Sequence, residues 1–116
     1  NEIEVWGDGN QTRSFLYIDE CIEATIKLME SNFYSPINIG SEEMVSINQL
    51  VKIVSKVAGK DIVIKHIDGP LGVRGRNSNN NLIRKELDWD CSLSLEEGIG
   101  KTYEWINTQL SNKKNN

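Results

Sequence analysis

The feature that most constrains this chain is a helix with both ends written into the sequence, followed at once by a strand. Ser46-Ile47-Asn48-Gln49 is a capping box: the Ser hydroxyl accepts the N–H three residues on, and the Gln side chain reaches back to the Ser N–H. Ile47, Leu50, Val51, Val54, Val57 and Ala58 then keep one apolar face in phase until Gly59, a residue suited to the left-handed turn that ends a helix. Ile62 to Ile67 is β-branched and alternates around Lys65, the pattern of a strand. A second box, Ser94-Leu95-Glu96-Glu97, opens a helix carrying Leu95, Ile99, Tyr103, Ile106 and Leu110.

The remaining segments fill in around these. Ile3 and Val5, then Phe15 and Tyr17, alternate on either side of Gly7-Asp8-Gly9-Asn10, which reads as two extended segments joined by a glycine turn. Asp19 suits the N-cap of a helix from Glu20 to about Glu30, with Ile22, Thr25, Ile26 and Met29 on one face. Ile37-Asn38-Ile39-Gly40 reads as a brief buried strand, and Asn81 to Leu87 as a short helix. Between Asp68 and Asn81, glycine, proline, arginine and asparagine predict irregular structure, and the polar Ser111 to Asn116 predicts a frayed tail. The order of strands and helices argues for a mixed α/β fold, one unit over residues 1–116.

Charge and cysteine usage exclude several function classes. With 13 Lys+Arg against 17 Asp+Glu the net charge is −4, so a broad basic surface for nucleic acid is not expected. No apolar run approaches the ~20 residues of a membrane span, and the opening Asn-Glu-Ile-Glu-Val is not a signal peptide. Its strand-like start without Met reads as a cut from a longer polypeptide. The two cysteines, Cys21 and Cys91, form no metal-binding spacing with the single His66, which fits free thiols in a reducing cytoplasm. Core packing is the default for Trp6, Trp89 and Trp105, and helix capping for the pairs Asp19-Glu20 and Glu96-Glu97.

Two segments carry candidate chemistry. In Gly7-Asp8-Gly9-Asn10-Gln11-Thr12-Arg13, glycines permit close backbone approach, while Gln11 and Arg13 project to one face of an extended segment. A guanidinium there suits a phosphate, although read alone the segment is also an ordinary turn with a solvated Arg13. Gly72-Val73-Arg74-Gly75-Arg76-Asn77-Ser78 places two arginines in a loop, suited to a polyanion or equally to acidic neighbours within the chain.

Taken together, Trp6 to Phe15, Tyr17-Ile18-Asp19-Glu20 and Asn38-Ile39-Gly40 resemble the C-terminal half of extended short-chain dehydrogenase/reductase enzymes acting on nucleotide sugars. Asp19-Glu20-Cys21, Asn38-Ile39-Gly40-Ser41, Glu43-Met44-Val45-Ser46 and above all Gly72 to Ser78 are similar to the GDP-mannose 3,5-epimerase family within that group. The resemblance implies a two-lobed parent: an N-terminal Rossmann lobe holding NAD, and a smaller lobe closing over the sugar nucleotide, to which this chain belongs as a C-terminal substrate-binding segment. It implies substrate-binding roles for Gln11, Thr12, Arg13 and Arg76. No Gly-x-x-Gly-x-x-Gly turn for the pyrophosphate of NAD and no Tyr-x-x-x-Lys pair are read in the chain. Neither cofactor binding nor catalysis is therefore expected of it alone, and Cys21 and Cys91 match no catalytic position of the family. Within the same class, a UDP- or dTDP-sugar dehydratase, decarboxylase or 4-epimerase remains an alternative; outside it, a catalytically silent binding module. The helix from Asp19 and the segment Ile37 to Gly40 are expected to face the missing lobe, so that the chain alone exposes apolar surface or self-associates.

Overall fold

The sequence folds into two small sheets and four helices, seen in a computed structural model that describes residues 1–70 and 72–114. In chain order the elements are β1 (Glu2–Trp6), β2 (Thr12–Ser14), α1 (Ile18–Glu30), β3 (Met44–Ser46), α2 (Ile47–Ala58), β4 (Val63–Ile67), β5 (Gly75–Arg76), α3 (Asn81–Leu87) and α4 (Leu95–Lys114). The glycine turn does not make a hairpin. β1 pairs in parallel with β4, Val5 opposite His66, whereas β2 lies at the centre of a second sheet of order β3-β2-β5. Phe15 and Tyr17 fall outside β2.

The reason is visible at the turn itself. Ile47 N–H donates to the Gln11 carbonyl (3.1 Å) and Asn48 N–H to that of Gly9 (3.0 Å), so the loop caps the first turn of α2. Gly9 has φ +69°, and a Cβ there would run into the Asn48 side chain. The close approach permitted by glycine is thus used on α2. Asn48 also donates to the Asp8 carbonyl (2.9 Å) and pairs through Oδ1 with His66 Nε2 (3.0 Å), which gives the lone histidine a structural partner.

The capping box at Ser46 and the left-handed Gly59 bound α2 as the sequence predicts, and α3 and β4 fall where expected. Ser94 and Glu97 exchange hydrogen bonds at the start of α4 (2.9 and 3.3 Å). Four expectations are corrected. Helix α1 starts at Ile18 with Tyr17 as N-cap, so Asp19 sits in the first turn, where its charge favours the dipole without capping it. Ile37 to Gly40 pairs with no described strand; Ile37 and Ile39 instead pack on the core of Ala24, Ile83 and Trp89. Trp6 and Trp105 are exposed and only Trp89 is buried. The stretch from Ser111 continues as helix through Lys114, because its backbone ladder goes on unbroken; residues 115–116 lie outside the described residues.

Glu20 is buried at a point where the sequence suggested a helix-end charge. Its carboxylate accepts from Ser92 Oγ (3.0 Å) and Leu93 N–H (3.1 Å), tying α1 to the turn before α4. The core is thin. The accessible surface is 8262 Å², against roughly 6400 Å² for a compact monomer of this mass. Ile18, Ile22, Ile26 and Met29 leave one face of α1 open.

Candidate functional site

The two predicted arginine segments meet in the second sheet. β2 pairs with β5 in parallel, and the register sets Thr12 opposite Gly75 and Arg13 opposite Arg76. Register partners on adjacent strands point to the same face, about 4.8 Å apart. Arg13 is half-buried and Arg76 exposed, and among the described residues neither forms an ion pair. Two like charges directly opposite destabilise a sheet unless a counter-charge lies between them. Both arginines line a groove of about 340 Å³, with Ser14, Asn38, Gly40, Ser41, Asn77 and Ser78 as its polar lining and Leu16 and Ile39, which also pack on the core, as its apolar lining. One Arg13 nitrogen, Nη1, donates to the Thr12 carbonyl (2.7 Å), which leaves the rest of its fork available.

Gln11 and Arg13, expected on one face, line different cavities. Gln11 precedes β2, and its Nε2 donates to the Trp6 carbonyl (3.2 Å). It lines a separate cavity of about 200 Å³ with Asp8, Asn10, Gly72 and Arg74. There its Oε1 is buried without a hydrogen-bond partner. Asp8 in the same cavity is held below the usual carboxylate range, chiefly by the N–H of Asn10. Thr12 is consumed in the ladder, its N–H donating to the Arg74 carbonyl (2.9 Å), so what it contributes is the placement of Arg13.

A further cavity, about 440 Å³, lies elsewhere, along the seam between α2 and α4, lined by Phe15, Tyr17, Leu50, Val54, Ile99 and Ile106 among others. No charged group converges there, so it is a packing seam and not an anion site. Burial pushes the Tyr17 hydroxyl up at its edge. Burial likewise raises the Cys91 thiol, which leaves it a weak nucleophile.

Behind the arginine groove lies a polar network that sequence reasoning missed. Arg84 donates to Glu42 (3.1 Å from each nitrogen) and to Asp90 (2.8 Å). These bonds hold both carboxyls below their usual range and raise the guanidinium further. Asn80, fully buried, joins this network to the groove walls. The only sequence signal was the polar run Asn77 to Asn81, which reads equally well as loop and cap.

Comparison with known proteins agrees with this geometry. Residues 1–40 match the family described as NAD dependent epimerase/dehydratase. Over 114 residues, 98% of this chain, the sequence is 50% identical to GDP-mannose 3,5-epimerase of Arabidopsis thaliana, of which it covers 30%. The chain is thus similar to nucleotide-sugar epimerases and dehydratases. UDP-glucose 4-epimerase of Thermotoga maritima, solved with UDP-glucose, superposes with a TM-score of 0.88 at 29% identity, over 94% of this chain and 36% of that one. UDP-glucuronic acid 4-epimerase of Bacillus cereus, solved with UDP-glucuronic acid and NAD, gives 0.83 at 28% identity, over 93% and 36%. The chain thus spans about a third of the length of the relatives it matches, and its mixed α/β arrangement is that of the family's extended short-chain dehydrogenase/reductase fold.

The family's NAD does not fit the residues described. Gly69, Gly72 and Gly75 do stand three apart, contrary to the expectation that no such spacing occurs. They follow strand β4, but among the described residues β5 comes next and no helix opens before Asn81, so no helix N-terminus of the described residues faces a pyrophosphate there. Among the described residues no three metal-ligating side chains cluster, and no helix is long and apolar enough to cross a membrane.

Proposed function

We propose that this chain is the sugar-nucleotide-binding part of an NAD-dependent nucleotide-sugar epimerase of the GDP-mannose 3,5-epimerase kind, a cytoplasmic enzyme. The observation that carries the reading is the in-register pair Arg13 and Arg76, two guanidiniums on one sheet face opening into one groove with no acidic partner among the described residues. A diphosphate supplies the missing counter-charge, bridges neighbouring strands and accepts forked hydrogen bonds from both. Thr12 serves through the ladder, and Gln11 offers its orphaned acceptor to another part of the substrate, beside Arg74. The half-identical Arabidopsis relative supports GDP-mannose as the sugar nucleotide.

In this reading the chain binds and orients while chemistry happens elsewhere: no residue here is assigned an acid, base or hydride role. NAD and the acid/base groups belong to a Rossmann lobe, and the open face of α1 is where that lobe or a second copy of the chain would rest. The test is a calorimetric titration of the chain with GDP-mannose, GDP, UDP and mannose. Binding of GDP-mannose and GDP, with UDP weaker and mannose silent, is expected. Equal affinity for GDP and UDP would transfer the assignment to the wider family of UDP- and dTDP-sugar enzymes. Absence of any nucleotide binding would return the arginines to the surface.

A further inference from the structure

We propose that Asn80 is a positioning residue for the two-arginine groove, setting the distance between Arg13 and Arg76 without touching the ligand; this rests on the phosphate-binding reading above. Asn80 is the N-cap residue of α3, where an asparagine side chain ordinarily accepts an N–H of the first helical turn. Here it makes no such bond. Its Nδ2 donates to the Gly40 carbonyl (2.9 Å) and to Asp90 Oδ1 (3.1 Å), while its Oδ1 accepts from Ser78 Oγ (2.6 Å). Its backbone N–H donates to Glu42 Oε1 (3.0 Å). The side chain is fully buried and its hydrogen bonds are all directed to groove walls or to the carboxylates behind them.

Gly40 and Ser78 both line the groove, from separate segments of the chain. They touch: a Cβ on Gly40 would lie 2.7 Å from Ser78 Cβ, and Ser78 N–H donates to the Ser41 carbonyl (3.3 Å). Asn80 therefore ties the two lining segments to each other. The arm that needs pinning is β5, only two residues long, with two register pairs to hold it against β2. Ser78 lies two residues beyond Arg76, so anchoring it limits how far the short strand can roll and carry the guanidinium away from Arg13. On the far side, Asp90 and Glu42 are fixed by Arg84, which prevents the anchor from swinging.

The readout that separates positioning from mere stability is the ratio of affinities for GDP and GMP. A diphosphate engages both arginines at their set separation and a monophosphate engages one, so the chain should prefer GDP by about ten-fold, the worth of one added charge-assisted contact. Asn80→Ala should reduce that preference to roughly two-fold or less while changing GMP affinity little, since single-arginine contact needs no spacing. Ser78→Ala, which removes only the hydroxyl link, covers the case in which Asn80→Ala does not fold, and should reduce the preference about three-fold. Glu20→Gln, which weakens the buried latch to Ser92 away from the groove, should lower the melting temperature and leave the ratio intact. The positioning role is overturned if GDP and GMP affinities fall in parallel in the Asn80 and Ser78 variants, or if Glu20→Gln collapses the ratio equally. A parent chain that binds GDP no better than GMP overturns instead the two-arginine reading beneath it.

Discussion

Replacing Arg76 by Gln should move stability and ligand affinity in opposite directions. Arg13 and Arg76 face each other across one ladder step. Two unit charges about 5 Å apart repel by about 0.8 kcal/mol in water, and by about 3 kcal/mol at an effective dielectric of 20. Arg76 is exposed and Arg13 half-buried, so the lower figure applies, reduced further by salt. Without ligand, Arg76→Gln should therefore raise unfolding free energy by up to about 1 kcal/mol at low ionic strength, a gain that fades as salt is added. With GDP the same substitution removes hydrogen bonds to a charged group, worth about 1.5–3 kcal/mol, or roughly a 10- to 150-fold weaker dissociation constant. Arg76→Lys keeps the charge and loses the fork, so it should leave ligand-free stability near its starting value and still weaken GDP by about 1–3 kcal/mol. Urea unfolding at two salt concentrations, with and without GDP, reads both quantities. A variant that is less stable without ligand, yet gains as much from GDP as the parent chain, would refute the reasoning.

Further outcomes follow from other parts of the fold. Ile83, fully buried against Ala24 and Trp89, should cost about 2–5 kcal/mol as Ile83→Ala, read from the urea midpoint. Ser46→Ala should cost about 0.5–1 kcal/mol, the low end for a lost cap, because the Gly9 and Gln11 carbonyls still serve the first turn of α2. Glu42 and Asp90 titrate below their usual values of 4.5 and 3.8, so the stabilisation they give is whole above those values and lost as pH falls below them; Arg84→Met should flatten that part of a pH-dependent unfolding curve. Calorimetry with NAD should show no micromolar binding, since no glycine turn among the described residues opens a helix.

What was legible in the sequence was local. The cap at Ser46, the stop at Gly59 and the box at Ser94 are set by hydrogen bonds spanning three or four residues, and each appears where its spacing put it. Sheet membership was not legible. Nothing in Glu2–Trp6 says that its partner lies some sixty residues on, and a glycine turn between two extended runs favours a hairpin until the loop is seen capping α2. The same blindness hid the site's decisive relation. Arg13 and Arg76 could be named as candidates from their flanking glycines, but their adjacency depends on a parallel ladder of two register pairs. Asn80 escaped for a different reason: at a helix start its chemistry is already explained, and only the direction of its hydrogen bonds shows otherwise.

The distribution of burial explains how so thin a core can support a defined groove. Among the described residues the buried polar and charged ones are Glu20, Ser41 and Asn80; Ser41 lines the groove and Asn80 bonds to residues that line it. Hydrogen bonds fix direction and distance in a way that apolar contact does not, so geometry around Arg13 and Arg76 is set by the polar network, while Ala24, Ile83 and Trp89 form an apolar cluster that contributes to keeping the chain folded. The two functions should separate experimentally. Ile83→Ala, at a temperature where the variant remains folded, should keep the parent chain's GDP affinity despite its lost stability, whereas Arg84→Met should weaken GDP while leaving the apolar cluster untouched. Equal loss of GDP affinity in both folded variants, measured by titration, would mean that core packing and groove geometry form one cooperative unit and that the polar network has no separate role.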